Sequence, residues 1–175
     1  MTYTKIKEGL IFDSYRKIMS RLFVLPSGKQ KTFEIDYVVT GGAIVVATDM
    51  DNNLILVRQF RPGPEKEFLE FVAGAIDLGE TPADAGAREL LEETGYKSNE
   101  FISIGSYWKG AYDNEQNHIF FAKNCEYVGE SNPDENEFIE VVKMSTAEFR
   151  AKMMDNHIIS QNHFALFIAL EKGLV

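Results

Sequence analysis

The residues in this chain best suited to chemistry are the carboxylates Glu80, Glu89, Glu92 and Glu93, with the guanidinium of Arg88 among them. Carboxylate oxygens are hard ligands, and a cluster of them suits Mg²⁺ or Mn²⁺. Glu89 and Glu93 are four residues apart, so on a helix they stack one turn above the other. Two like charges so placed repel, at a cost of about 0.2–0.5 kcal/mol. Arg88 reaches Asp84 or Glu92 at the i±4 spacing, but neither Glu89 nor Glu93. Taken alone, a glutamate run is more often a solvated acidic face than a metal site, and both readings stand at this level.

The element that must position these groups is a helix. Thr81 offers a side-chain acceptor to the first turn, and Pro82 has no N–H to leave unsatisfied there. Asp84 suits the positive end of the helix dipole. Gly95 supplies a left-handed terminus. The helix is therefore expected over 82–94. At about 100° per residue, Ala87, Leu90, Leu91 and Thr94 form one stripe, expected to face the core, with Glu89, Glu92 and Glu93 almost opposite.

The rest of the chain alternates strand signals with turns. Residues 15–25 and 31–39 form an N-terminal hairpin around Pro26-Ser27-Gly28-Lys29, with Phe33, Ile35 and Tyr37 on its buried face. Tyr3, Phe12 and Tyr15 join Tyr37 as aromatics expected in core or dimer packing. After Gly41-Gly42, residues 43–48 form an apolar strand and 54–60 a second one. Arg61-Pro62-Gly63-Pro64 is a rigid loop. One short strand over 67–73 leads to the acidic helix. Strands follow over 101–108 and 117–123, with a polar loop over 125–136 and a further strand over 138–144. Ser145 and Glu148 form a capping box opening a helix to about residue 155, and a last helix spans 160–172. Strands with flanking helices give an α/β sandwich with a mixed central sheet plus an N-terminal antiparallel sheet. The boundary falls at 1–40 for the N-terminal sheet and 41–175 for the catalytic domain.

Composition narrows the function. The 175 residues are 45% hydrophobic and 26% charged, ordinary values for a globular chain. A net charge of −9 argues against a nucleic-acid surface. It leaves room for a small nucleotide, because bound cations invert a local field. Cys125 is the only cysteine, so no internal disulfide forms, and a cytoplasmic location is expected. No signal-peptide run and no membrane-length apolar stretch is present, and no membrane partner is expected. His118, His157 and His163 have no ligand spacing with the glutamates.

The full spacing gives more than the cluster. Gly74, five residues, Glu80, seven residues, then Arg88-Glu89-Leu90-x-Glu92-Glu93-x-Gly95-Tyr96 resembles the Nudix box at every defining position. The resemblance implies an α-β-α sandwich and a metal-dependent hydrolase of a nucleoside diphosphate linked to another moiety. It implies two or three divalent ions, Mg²⁺ or Mn²⁺, held by Glu89 and Glu93, with Glu92 secondary and the carbonyl of Ala73 as a backbone ligand. Arg88, helped by Glu80, orients these carboxylates. Arg58-Gln59-Phe60-Arg61 and Leu69-Glu70-Phe71-Val72-Ala73-Gly74 resemble the ADP-ribose pyrophosphatase branch. That branch implies Arg61, and more weakly Arg58, on substrate phosphate. It implies a general base at Glu135 and a further metal ligand at Glu137, with the box glutamate Glu93 as the other catalytic group. It also implies a homodimer that exchanges its N-terminal sheet. The expected reaction is hydrolysis of a nucleoside diphosphate sugar such as ADP-ribose or GDP-mannose to a nucleoside monophosphate and a sugar phosphate.

One departure keeps an alternative open. The loop 108–112 has Gly110 but no proline, and Tyr112 resembles the tyrosine of dinucleoside-polyphosphate hydrolases. Tyr112 is thus a substrate-binding candidate, and a dinucleoside-polyphosphate or oxidised nucleoside triphosphate is the alternative substrate. A non-catalytic nucleotide-sugar sensor is a more remote alternative.

Overall fold

The acidic helix forms where its caps require, and the sheet around it decides which way its glutamates face. The structure is a computed structural model describing residues 1–129, 131–132, 138–153 and 158–175. The chain divides into two compact units, residues 1–41 with 107–117, and residues 42–106 with 118–175.

The first unit holds a three-stranded antiparallel sheet, β1 (Thr4–Asp13), β2 (Lys17–Val24) and β3 (Gln30–Tyr37), in that order. The alternation on β3 is as expected: Ile35 is buried and Phe33 and Tyr37 are half-buried, while Thr32, Glu34 and Asp36 are exposed. β1 was not expected as a strand. All ten of its residues are exposed, so no burial pattern marks it; pairing along β2 sets it. In the same unit Tyr112 accepts a hydrogen bond on its carbonyl from the Asp36 N–H at 2.8 Å.

The second unit is built on β4 (Gly42–Asp49), β5 (Leu54–Arg61), β6 (Lys66–Glu70) and β7 (Val72–Ala75), followed by α1 (Pro82–Thr94). Then come β8 (Tyr96–Lys97), β9 (Glu100–Trp108) and β10 (Gln116–Tyr127), whose residues 107–108 and 116–117 are counted with the first unit, β11 (Ile139–Met144), α2 (Thr146–Lys152) and α3 (Ser160–Glu171). The sheet order is β11-β5-β4-β10-β8, with β6 on β5, β7 on β4 and β9 on β10. Together they make the mixed α/β fold.

Helices cover both faces of this sheet. Leu90 of α1 packs in one buried cluster with Val45, Val57 and Val72. Side chains alternate along a strand, so Phe71 points the other way, and its ring meets Phe149 of α2 at 5.1 Å between centroids. Asn162 of α3, fully buried, accepts from the Phe71 N–H on that side at 3.0 Å. That bond also explains why the single strand expected over 67–73 is two. At Phe71 the backbone leaves its ladder with β5 for one with β4, and the side chain of Asn162 takes the N–H released between them.

Two other expectations are corrected. The sequence pattern puts Cys125 in a polar loop, but β10 runs on to Tyr127 and buries Cys125, because β8 pairs Tyr96 and Lys97 with Tyr127 and Glu126. The inward stripe of α1 is shifted: Ala87 and Leu91 are exposed, and Ala85, Gly86, Leu90, Glu93 and Thr94 are buried. A Cβ on Gly86 would meet Phe101 at 3.0 Å and Val45 at 3.1 Å, so small residues let the helix approach closely and roll its glutamate side inward. Among the described residues no helix is long and apolar enough to cross a membrane.

Candidate active site

α1 starts as its local chemistry dictates. Thr81 caps it by accepting from the Asp84 N–H at 3.2 Å, and its hydroxyl donates to the Asp84 carboxylate at 2.6 Å. Gly95 ends it at φ 72°, its N–H donating to the Leu91 carbonyl. A side chain at Gly95 would strain that backbone and strike the Gly129 carbonyl at 2.1 Å.

Arg88 is the hub of the site. Its guanidinium donates to both oxygens of Glu80, from Nε at 3.0 Å and Nη2 at 3.1 Å. Nη1 donates to Glu89 at 2.8 Å and Glu92 at 3.0 Å, and Nη2 also reaches the Ala75 carbonyl at 3.1 Å. Asp84 was one of the two partners expected from helix spacing. The Thr81 cap holds it instead, and Glu89 takes the place on the guanidinium. This network holds Arg88 in its charged form well above an ordinary arginine, Glu80 contributing most. The same contact, with the Asp77 N–H, pulls Glu80 below the usual carboxylate range.

Two of the helix carboxylates are turned out of water, while the Glu92 side chain stays partly exposed. Glu93 is 3% exposed, and the Glu89 side chain 14%. The Glu89 carboxylate lies on β7 at Gly74, where a Cβ would come within 2.0 Å of its Cδ and Oε1. Gly74 is therefore glycine for space. Ala73 lies beside it on β7, opposite Ile44. Among the described residues no three His, Cys, Asp or Glu side chains are arranged to hold an ion, and Arg88 spans three of the carboxylates. The donor set still fits a hard divalent ion: three carboxylates share one guanidinium, and Glu93, one turn on from Glu89, adds a fourth that is largely out of water.

The remaining candidates divide. Arg61 is bound in a bidentate ion pair to Glu70, at 2.7 and 2.8 Å. Glu70 is fully buried. Its place was legible as a lone carboxylate inside the apolar run 68–72, but no role was expected of it. Glu70 lies opposite Val57 in the ladder, so the pair lies on the α1 face of the sheet. Arg58 is on the other face, paired with Glu140 at 2.5 Å. Tyr112 belongs to the first unit, its ring 6.4 Å from that of Phe33. Glu135 and Glu137 lie outside the described residues. So the structure brings Glu80, Glu89 and Glu92 together on Arg88 and rests Glu89 against Gly74, while Glu93 is buried one turn on from Glu89 and Gly95 closes the helix.

The chain is similar to known proteins in sequence and in fold. A family model described as NUDIX domain matches residues 39–162. An ADP-ribose pyrophosphatase of Bacillus subtilis is 31% identical over 154 residues, 87% of this chain and 80% of that protein. A methanol dehydrogenase activator of Bacillus methanolicus is 32% identical over 127 residues, 71% of this chain and 68% of that one. A crystal structure of an ADP compounds hydrolase superposes with a TM-score of 0.86 at 23% identity, covering 100% of this chain and 98% of its own.

Proposed function

The chain belongs to the NUDIX family, and from that premise we propose that it hydrolyses the diphosphate bond of a nucleoside diphosphate sugar, ADP-ribose or a close analogue. The products are a nucleoside monophosphate and a sugar phosphate. The observation that carries this reading is the carboxylate set in which Arg88 holds Glu80, Glu89 and Glu92, with Glu89 against Gly74 and Glu93 buried one turn on. The resemblance to a named ADP-ribose pyrophosphatase over most of the chain supports the substrate class.

Glu89 and Glu93 would hold divalent metal, Mg²⁺ or Mn²⁺ in two or three ions, with Glu92, the Ala73 carbonyl and Glu137 completing the set. Such ions neutralise phosphate charge and lower the pKa of an attacking water. The chain's own groups do the rest. Arg88 fixes the carboxylates so that little reorganisation accompanies the reaction. Arg61, held by Glu70, contacts a substrate phosphate, with Tyr112 as a lesser substrate contact; Arg58, on the other face with Glu140, stands apart from them. Glu135 takes the proton of the water that attacks one phosphorus, and the bridging oxygen leaves with the other phosphate.

We further propose a cytoplasmic homodimer joined through the N-terminal sheet. The exposed β1, carrying Ile6, Leu10, Ile11 and Phe12, supports it. Light scattering at micromolar concentration is expected to give the dimer mass. For the reaction, ADP-ribose, GDP-mannose, UDP-glucose, Ap4A and dNTPs are assayed with Mg²⁺, and products are separated. AMP and ribose 5-phosphate from ADP-ribose are expected. Pyrophosphate released from a triphosphate at higher kcat/KM overturns the substrate class, and no turnover of any compound overturns the enzyme reading.

A further inference from the structure

A cleft of about 410 Å³ opens in the second unit along β6, lined from both of its faces: Lys66 and Phe68 share the side of Glu70, while Glu67 and Leu69 share that of Arg58. Val57 packs with Leu90 of α1, so its neighbour Arg58 projects to the other face, where Leu69 lies opposite it in the ladder. Phe68, Leu69 and Ile158, each 7–8% exposed, make an apolar floor. Arg58, Lys66 and Lys152 make a cationic rim, with Glu67 its one carboxylate among the described residues. In a chain of net charge −9 this is a local reversal of sign. Arg58 is paired with Glu140 and Lys152 has Glu148 one turn before it on α2, while Lys66 forms no ion pair among the described residues.

We propose that this cleft is a second ligand site, separate from the carboxylate site, for a ribosyl phosphate monoester of nucleoside monophosphate size. Each part of the cleft answers a part of that ligand. Two ammonium groups suit the phosphate as point charges. A carboxylate suits the vicinal hydroxyls of a ribose. A buried apolar floor suits the face of a base. The volume falls within the range of small-ligand pockets. The site does not depend on which substrate the carboxylates of α1 serve.

The test is an NMR titration of the full chain in EDTA, which removes metal from α1, using AMP, ribose 5-phosphate and inorganic phosphate as probes. The amide signals of 66–69 and 152 are expected to shift saturably with AMP, with a midpoint at or below about 1 mM. Ribose 5-phosphate is expected to bind more weakly, and inorganic phosphate weakest. Lys66→Glu/Lys152→Glu should raise the AMP midpoint at least about tenfold with an unchanged melting temperature, since both side chains are exposed. Lys66→Gln/Lys152→Gln should weaken binding in the same direction by a smaller factor. The proposal is overturned by no saturable shift at 10-fold the expected midpoint, by equal affinity for all three probes, or by an unchanged midpoint in the charge-reversed chain.

Discussion

Substituting Gly74 with alanine separates the site's chemistry from the fold. The added Cβ would lie 2.0 Å from Cδ and Oε1 of Glu89 and 2.6 Å from Oε2. Ordinary contacts between such atoms are about 3.5–4.0 Å, so the carboxylate must move by about 1.5 Å. It is the far end of a flexible side chain, so the move is cheap for the fold: about 1 kcal/mol or less, a shift of about 2–4 °C in Tm for a chain of this size. For catalysis the move is expensive, because misplacing a reacting group by about 1 Å costs about 10²-fold. We expect Gly74→Ala to lower kcat/KM for ADP-ribose by about 10²- to 10³-fold while the melt stays near wild type. Steady-state rates with Mg²⁺ and a calorimetric melt measure the two quantities. In a Glu89→Ala background the same change should add little, since the group it displaces is gone. Activity within about threefold of wild type, in a folded Gly74→Ala protein, would refute the assignment of Glu89.

Other perturbations probe the neighbouring groups. Glu80 sits below the usual carboxylate range in the fold, chiefly through Arg88. Its stabilising contribution is therefore full above the unfolded value, about 4.3, and is lost as pH falls through the depressed folded value. Thermal melts from pH 3 to 7 should show a flatter acid limb for Glu80→Gln than for wild type, and parallel curves would count against the Arg88 hub. Arg61→Ala leaves the fully buried Glu70 without its bidentate partner and should cost about 3 kcal/mol by urea denaturation. Arg61→Ala/Glu70→Leu should recover stability but not activity, and recovered activity would remove Arg61 from substrate binding. Burial pushes the Cys125 thiol up to about 12. A thiol reagent at pH 8 should leave it unlabelled in the native protein and modify one thiol per chain in guanidinium, whereas rapid native labelling would contradict the extended β10.

What was legible in the sequence was local. The bounds of α1 follow from Thr81, Pro82 and Gly95, and those residues act within a turn of where they stand. The turn at 26–29, the capping box of α2 and the buried strands β4 and β5 follow for the same reason. What was not legible depends on partners distant in sequence. β1 and β8 lack a pattern of their own and exist as ladders on β2 and β10. The break at Phe71 needs Asn162, 91 residues on. The roll of α1 depends on Gly86 meeting Val45 and Phe101, which no helical period records. The partners of Arg88 were half legible: helix spacing gives Glu92, while Glu80 requires the turn before α1 to fold back, held by the Asp77 and Glu80 backbones.

That misjudged roll bears directly on function. Had Ala87 and Leu91 faced the core, the glutamates of α1 would lie in water, where like charges on a helix cost little and do little. Turned toward β7 instead, Glu89 and Glu93 lose hydration, and a single guanidinium serves Glu80, Glu89 and Glu92 together. A fold selected for stability alone would put apolar side chains in those places, since replacing buried charge by well-packed hydrophobic residues is often neutral or stabilising. Local rules broken without structural gain mark functional sites. Here the rule broken is burial of like charges side by side, which the divalent cation of the proposed reaction would offset. The glycine at 74, kept empty so that one carboxylate can rest on the strand, is the same argument made in space rather than charge.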